Sequence, residues 1–222
     1  MNQFERFSSL IGERAFAKLI NSHVLVVGLG GVGGNVVETL VRSGIGYLTI
    51  IDDDVFELTN LNRQLLATHS SLNKSKVEVC KNRCLDINPN VKIDQLNLKF
   101  TESTQLDFSQ FDYVVDAVDD VEAKVGLIKR ATRDNVPIIS CMGTANKFDP
   151  TQLRVSDILH TSVCPLASVM RKKCRALGLN AKCVYSLEKP TKMGNMLCST
   201  AFVPNVAGIL LAKTVIEDLI KE

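Results

Sequence analysis

A chain of 222 residues with 45% hydrophobic content fits one large domain and supplies ample apolar material for a packed core. Its seven cysteines are an odd number, and Met1-Asn2-Gln3-Phe4-Glu5-Arg6 lacks an apolar leader pattern, so a reduced cytoplasmic protein is expected rather than a disulfide-built secreted domain. The formal charge is only +2, but it is uneven: residues 165–193 hold seven Lys or Arg against one acid, Glu188, which points to an anionic partner, nucleic acid first.

Taken in chain order, apolar periodicity predicts a helix over 8–20, a strand over 23–28, a helix over 31–43 and a strand over 47–52. A long polar loop follows, then a helix over 73–87 and a strand over 91–99. The apolar run Tyr113-Val114-Val115-Asp116-Ala117 reads as a strand, 121–134 as a helix and 136–140 as a strand. Beyond these lie a basic helix and the apolar stretch 201–220. Pro204, Asn205, Lys213, Glu217 and Asp218 interrupt that stretch, so it reads as a helix packed on the sheet or on a partner subunit, with no membrane span. Alternating strands and helices give an α/β, Rossmann-like, doubly wound and mainly parallel sheet with helices on both faces and a short basic C-terminal extension. Right-handed crossovers then gather the glycine loop, Asp52 and the Asp116–Asp119 segment on one rim.

The apolar strand 23–27 runs directly into Gly28-Leu29-Gly30-Gly31-Val32-Gly33, and Val32, Val36, Val37, Leu40 and Val41 continue it as an amphipathic helix. Strand, glycine turn and helix start form a phosphate-binding context, because glycines let backbone approach phosphate and the helix start offers N–H groups. The loop alone also suits nicotinamide and flavin enzymes. Asp52, at the head of Asp52-Asp53-Asp54, stands about 20 residues beyond the loop, where an acid suits ribose hydroxyls. Asn60-Leu61-Asn62-Arg63-Gln64 and Lys74-Ser75-Lys76 then supply a guanidinium, an ammonium and amides, which suit a triphosphate better than a buried pyrophosphate. No Cys-x-x-Cys pair occurs and the three histidines are scattered, so no zinc is expected. Cys80 and Cys84 share an apolar helical face with Val77 and Ile87 and read as core.

Gly-x-Gly-Gly-x-Gly at 28–33, Asp52, Asn60-Leu61-x-Arg63-Gln64, Lys76, Ile87-Asn88-Pro89 and Asp116-x-x-Asp119 together resemble the ubiquitin-activating-like superfamily of adenylating enzymes, over nearly the whole chain and in the same order. The resemblance implies one adenylating domain over 1–222, with a nucleotide-binding core at 1–160 and a basic segment plus packing helix at 161–222. It implies that Gly28, Gly30, Gly31 and Gly33 form the nucleotide loop. Asp52 would hold the ribose, with Asp54 beside it, and Asn60, Arg63, Gln64 and Lys76 would surround the phosphates of ATP. Asp119 would bind Mg²⁺, the bland alternative being a helix N-cap before Val121. Arg63, Lys76 and Asp119 would carry the chemistry, since fixed cations and a metal stabilise the charge that adenylation spreads over the α-phosphate.

Within the superfamily, 149–157, Cys164-Pro165-Leu166-Ala167 and Cys183-Val184-Tyr185-Ser186 look like the branch that dehydrates threonylcarbamoyladenosine in tRNA. The chain is shorter than that branch's pattern between Glu188 and Cys198 and just after Phe7. Arg171, Lys172 and Arg175, three and four apart on the basic helix, are the expected tRNA contacts. A homodimer is implied, with Arg6 or Arg14 as the arginine that reaches the partner's ATP, and a sulfur-transfer protein partner stays open. The alternative is activation of a ubiquitin-like sulfur carrier through its C-terminal carboxylate, with Cys183 or Cys141 as the thiol acceptor. An oxidoreductase or a non-catalytic nucleotide-binding subunit fits the polar cluster less well.

Overall fold

A computed structural model describes residues 2–191, 194 and 196–221. In chain order its elements are α1 (Glu5–Ile11), α2 (Glu13–Asn21), β1 (His23–Val27), α3 (Gly33–Arg42), β2 (Tyr47–Ile51), α4 (Lys76–Ile87) and β3 (Lys92–Leu96). They continue with β4 (Tyr113–Asp116), α5 (Val121–Arg133), β5 (Ile138–Cys141), β6 (Leu153–Asp157), α6 (Pro165–Leu177), β7 (Lys182–Ser186) and α7 (Val203–Ile220). The strands form one seven-stranded sheet in the order β3-β2-β1-β4-β5-β7-β6. Every pairing is parallel except that of β6 with β7.

The central strands are apolar because both of their faces are covered. All five residues of β1 are buried. Val24 and Val26 pack with Val36, Val37 and Leu40 of α3 and with Ala207, Leu211 and Val215 of α7. On the opposite face Leu25 and Val27 pack with Leu127 and Ile128 of α5 and with Ala167 and Met170 of α6. Gly208 lets α7 approach the first turn of α3: a Cβ there would overlap the Val32 carbonyl oxygen and lie 2.8 Å from the Asn35 Cβ.

Register positions the site. Val27 pairs with Ile51 on one side and with Asp116 on the other, so these three strand ends are flush. Gly28, Asp52 and Ala117 therefore leave the sheet side by side. Asp116 pairs with Ser140, and Cys141 with Val184, so the rim continues across β5 and β7.

The expected helix over 8–20 is two helices, broken at Gly12, whose φ of +86° no helix accommodates. The strand expected at 91–99 is shorter, and β6 and β7 are strands that periodicity did not predict. The sheet crosses the 160/161 division, because β7 lies between β5 and β6. Among the described residues no helix is long and apolar enough to cross a membrane.

Candidate active site

The glycine loop is shaped by what surrounds it. Gly28 has φ of +90°, and a Cβ on it would stand 2.8 Å from the Ala117 carbonyl oxygen. A Cβ on Gly33 would overlap the Gly28 carbonyl oxygen. The loop thus folds tightly against the end of β4 and turns into α3, which only glycine permits at both points. Gly31 faces the Arg63 backbone carbonyl and Pro204, while Gly30 faces the Gln64 amide. Among the described residues the backbone N–H groups of Gly30, Gly31 and Val32 donate to no protein atom. Three unpartnered N–H groups at a helix start form an anion seat.

Asp52 ties this seat to the next strand. Its Oδ2 accepts from the Leu29 N–H at 2.6 Å and its Oδ1 from the Asp54 N–H at 2.9 Å. Lys76, only 5% exposed, donates to Asp54 at 2.7 Å and lies 3.8 Å from Asp52. Carboxylate oxygens of Asp52, Asp53 and Asp54 lie within 4.8 Å of one another. Asn60 and Gln64 are buried, and the Asn60 side chain accepts from the Glu57 N–H. Arg63 is half-buried, and its Nη1 donates to the Thr59 carbonyl and to Asn62. Its other N–H groups remain for a ligand. Gln64 Oε1 and Ser75 Oγ are buried without a hydrogen-bond partner. Buried polar atoms are almost always paired, so the unpaired Gln64 oxygen, on a side chain that faces Gly30, points to a ligand that completes it.

The structure therefore gathers Gly28, Gly30, Gly31, Gly33, Asp52, Asp54, Arg63, Gln64 and Lys76 through direct contacts, with Asn60 packed beneath. Asp119 lies on the same rim, on the loop after β4, exposed and without a side-chain partner among the described residues. The expected alternative for it is corrected: the N-cap of α5 is Asp120, whose side chain accepts from the Ala123 N–H at 2.8 Å. Asp119 stands one residue outside the helix.

One pair escaped the sequence reading. Lys124 and Asp116 are both fully buried and ion-paired at 3.0 Å, and Lys124 also donates to the Cys141 carbonyl. Asp116 accepts from the Val118 N–H at 3.2 Å, so the pair fixes the loop that carries Asp119. The available signal was a lysine beside Ala123, Leu127 and Ile128 on a buried helical face.

The thiols are poorly placed for catalysis. Cys141 and Cys183 sit within β5 and β7, and burial pushes each up to about 12. Cys80 is raised well above the usual range by its hydrogen bond to Cys84 and by burial. All seven cysteines are free, and only Cys198 is partly exposed. A protonated thiol is a weak nucleophile, which disfavours Cys183 and Cys141 as acceptors.

The basic helix is only partly available. Arg171 is anchored internally, its Nη1 donating to the Thr161 carbonyl and hydroxyl at 2.8 Å. Lys173 pairs with Glu122, and Lys182 with Asp218. Lys172, Arg175 and Lys189 are exposed, whereas Lys192 lies outside the described residues. Arg171 is thus a tether of the 158–164 segment through Nη1, and its other N–H groups remain for the expected tRNA contact. Arg6 and Arg14 sit on α1 and α2, and α2 packs through Phe16 against Gly44, beyond the end of α3 remote from the glycine loop.

The model of the ThiF family matches residues 4–222. The chain belongs to the ThiF family. Among ThiF-family relatives it is 37% identical to the tRNA threonylcarbamoyladenosine dehydratase of Bacillus subtilis, an alignment covering 100% of this chain and 96% of that protein. The crystal structure of the E. coli tRNA N6-threonylcarbamoyladenosine dehydratase with AMP superposes with a TM-score of 0.92 at 30% identity, over 98% of this chain and 94% of that one. The same E. coli enzyme with ATP gives a TM-score of 0.90 at 30% identity, over 98% and 93%. This ThiF-family sheet thereby has the doubly wound α/β architecture expected from the sequence.

Proposed function

We propose that this chain is an ATP-dependent tRNA threonylcarbamoyladenosine dehydratase. It activates the carboxylate of the threonylcarbamoyl group by adenylation and then closes that group into a ring. The observation that carries this reading is the anion seat of three unpartnered N–H groups held between Asp52 and the Arg63–Gln64 turn, in a chain similar end to end to enzymes of that name.

The residues divide the work as follows. Asp52, already fixed by Leu29 and Asp54, keeps lone pairs for ribose hydroxyls. The Gly30, Gly31 and Val32 N–H groups hold phosphate oxygens. Lys76 and the free donors of Arg63 face the charge that grows as a carboxylate oxygen attacks the α-phosphorus and the bond to pyrophosphate breaks. Gln64 Oε1, orphaned in the protein, gains a partner from the bound nucleotide. A magnesium ion held by Asp119 would neutralise phosphate oxygens, as a hard cation on carboxylate oxygen does. In the second half, an atom of the carbamoyl group attacks the acyl carbon, loses its proton, and AMP departs. The net change removes one water from the nucleoside and splits ATP to AMP and pyrophosphate. Ring closure is intramolecular and proceeds without a protein thiol, consistent with the protonated Cys141 and Cys183.

A homodimer, in which Arg6 or Arg14 reaches the partner's nucleotide, and a cytoplasmic location belong to the same reading. The deciding experiment measures pyrophosphate release from ATP with tRNA carrying threonylcarbamoyladenosine or with a sulfur-carrier peptide ending in a free carboxylate. Stimulation by the tRNA is expected. Stimulation by the peptide alone would transfer the enzyme to the carrier-activating class.

A further inference from the structure

Of the nine phenylalanines, only Phe148 and Phe202 are exposed, at 68% and 46%. They come from segments far apart in sequence, yet their rings meet edge to face, with centroids 5.3 Å apart at 84°. The backbone on each side is pinned. Glu188 accepts from the Phe148 and Asp149 N–H groups, and Asn146 accepts from the Cys198 N–H at 2.7 Å. Phe202 precedes α7, whose Pro204 packs on Gly31. Asn62, next to Arg63, donates to the Ser199 carbonyl. An unbroken chain of contacts thus leads from the anion seat to the aromatic pair.

Phe148 lies on the loop that follows β5, three places along the sheet from β2 and its acid Asp52. Exposed Lys189 stands close by in sequence to Glu188, which holds the Phe148 loop. Flat apolar faces suit an unstacked RNA base, because single-stranded nucleotides are recognised by stacking on aromatic side chains.

We propose that Phe148 and Phe202 form a stacking platform for a nucleobase of the anticodon loop next to the modified adenosine. The platform holds this neighbouring base, splayed out, while the carboxylate of the modified adenosine is adenylated. This proposal rests on the tRNA reading above. The chain contains no tryptophan, so a Phe148→Trp variant carries a single fluorescent reporter at the platform.

The test titrates tRNA carrying threonylcarbamoyladenosine into the wild-type protein and into Phe148→Trp, Phe148→Tyr and the Phe148→Leu/Phe202→Leu double variant. ATP affinity is measured in parallel and establishes folding. The double Leu variant should bind the tRNA about tenfold more weakly or worse, while the Tyr variant retains affinity and the Trp emission is quenched by the tRNA. Wild-type tRNA affinity in a double Leu variant that still binds ATP overturns the platform alone. Trp emission that responds to protein dilution but not to tRNA also overturns it and assigns the pair to contact between copies of the chain. A wild-type protein that binds ATP but not the tRNA overturns the functional reading, and the platform with it.

Discussion

The two sides of the rim hold their polar groups in opposite ways. Along β2, β1 and β4, two lysines are buried and paired: Lys76 is locked between Asp52 and Asp54, and Lys124 is sealed against Asp116. Along β5 and β7, Lys189 stands in solvent and two phenylalanines lie open, while Lys172 and Arg175 are exposed on α6, with Arg175 reaching the Leu159 carbonyl near the start of β7. The first side is preorganised for a small ligand of fixed shape, where reorganisation during reaction would be costly. The second can adapt to a large polyanion, whose affinity comes from many separate contacts. One sheet thus presents a rigid chemical half and a compliant recognition half.

Breaking the rigid half should have the largest effect. Lys124→Met leaves Asp116 buried without its counter-ion, so the urea midpoint should fall by the equivalent of about 3–5 kcal/mol. The Asp116→Asn/Lys124→Met double variant should recover part of that loss, and a double variant as unstable as the single would show that the pair is not coupled. Arg63→Ala and Lys76→Ala should each cost roughly 3 kcal/mol of transition-state stabilisation while the folded state persists. Adenylation rates near wild type in either folded variant would remove that residue from the proposed machinery.

The compliant half should give smaller, salt-dependent effects. Lys172→Ala and Arg175→Ala should each flatten the dependence of log affinity on log salt by about 1 if they meet tRNA phosphates. Arg171→Ala should instead loosen the 158–164 segment it anchors. A full flattening of the slope by Arg171→Ala without loss of stability would make it a direct contact as well. At the opposite edge of the strands, burial would raise the Asp218 carboxyl, but hydrogen bonds from Lys182, Lys221 and Tyr113 hold it below the usual range. A depressed carboxylate stabilises the fold above its unfolded value and loses that contribution as pH falls through its folded value. Asp218→Asn should therefore reduce stability at neutral pH and flatten the acid limb below about pH 4, as followed by denaturation at several pH values. The smallest effect is expected from Cys141→Ser and Cys183→Ser, which should retain turnover on tRNA. Lost activity in either variant, with the fold intact, would favour a thiol-using mechanism.

Legibility in the sequence followed the same division. The glycine loop and β1, α3 and β2 were readable because burial on both strand faces and one helix face imposes an apolar pattern. The polar set from Asp52 to Lys76 was readable by residue type and order. β6 and β7 were not: Leu-Arg-Val-Ser-Asp is a half-exposed edge and Lys-Cys-Val-Tyr-Ser mixes polar with apolar residues on a buried strand, so neither stands out without its partner strand. Lys124 was hidden because a lysine in a helix ordinarily faces water, and only the tertiary structure shows what it meets. Phe148 and Phe202 lie in loops, where aromatic residues carry no period.

Gly208 has a consequence for how the molecule is made. The helix that bears the glycine loop is backed by a helix from the far end of the sequence, and their close approach requires both to be present. During synthesis, β1 and α3 emerge early and expose Val36, Leu40 and their neighbours until α7 arrives to cover them. Contacts so distant in sequence form late and slowly. A nascent chain therefore reaches nucleotide competence only once Val203–Ile220 has been made, and until then it presents an apolar helix face that favours chaperone capture.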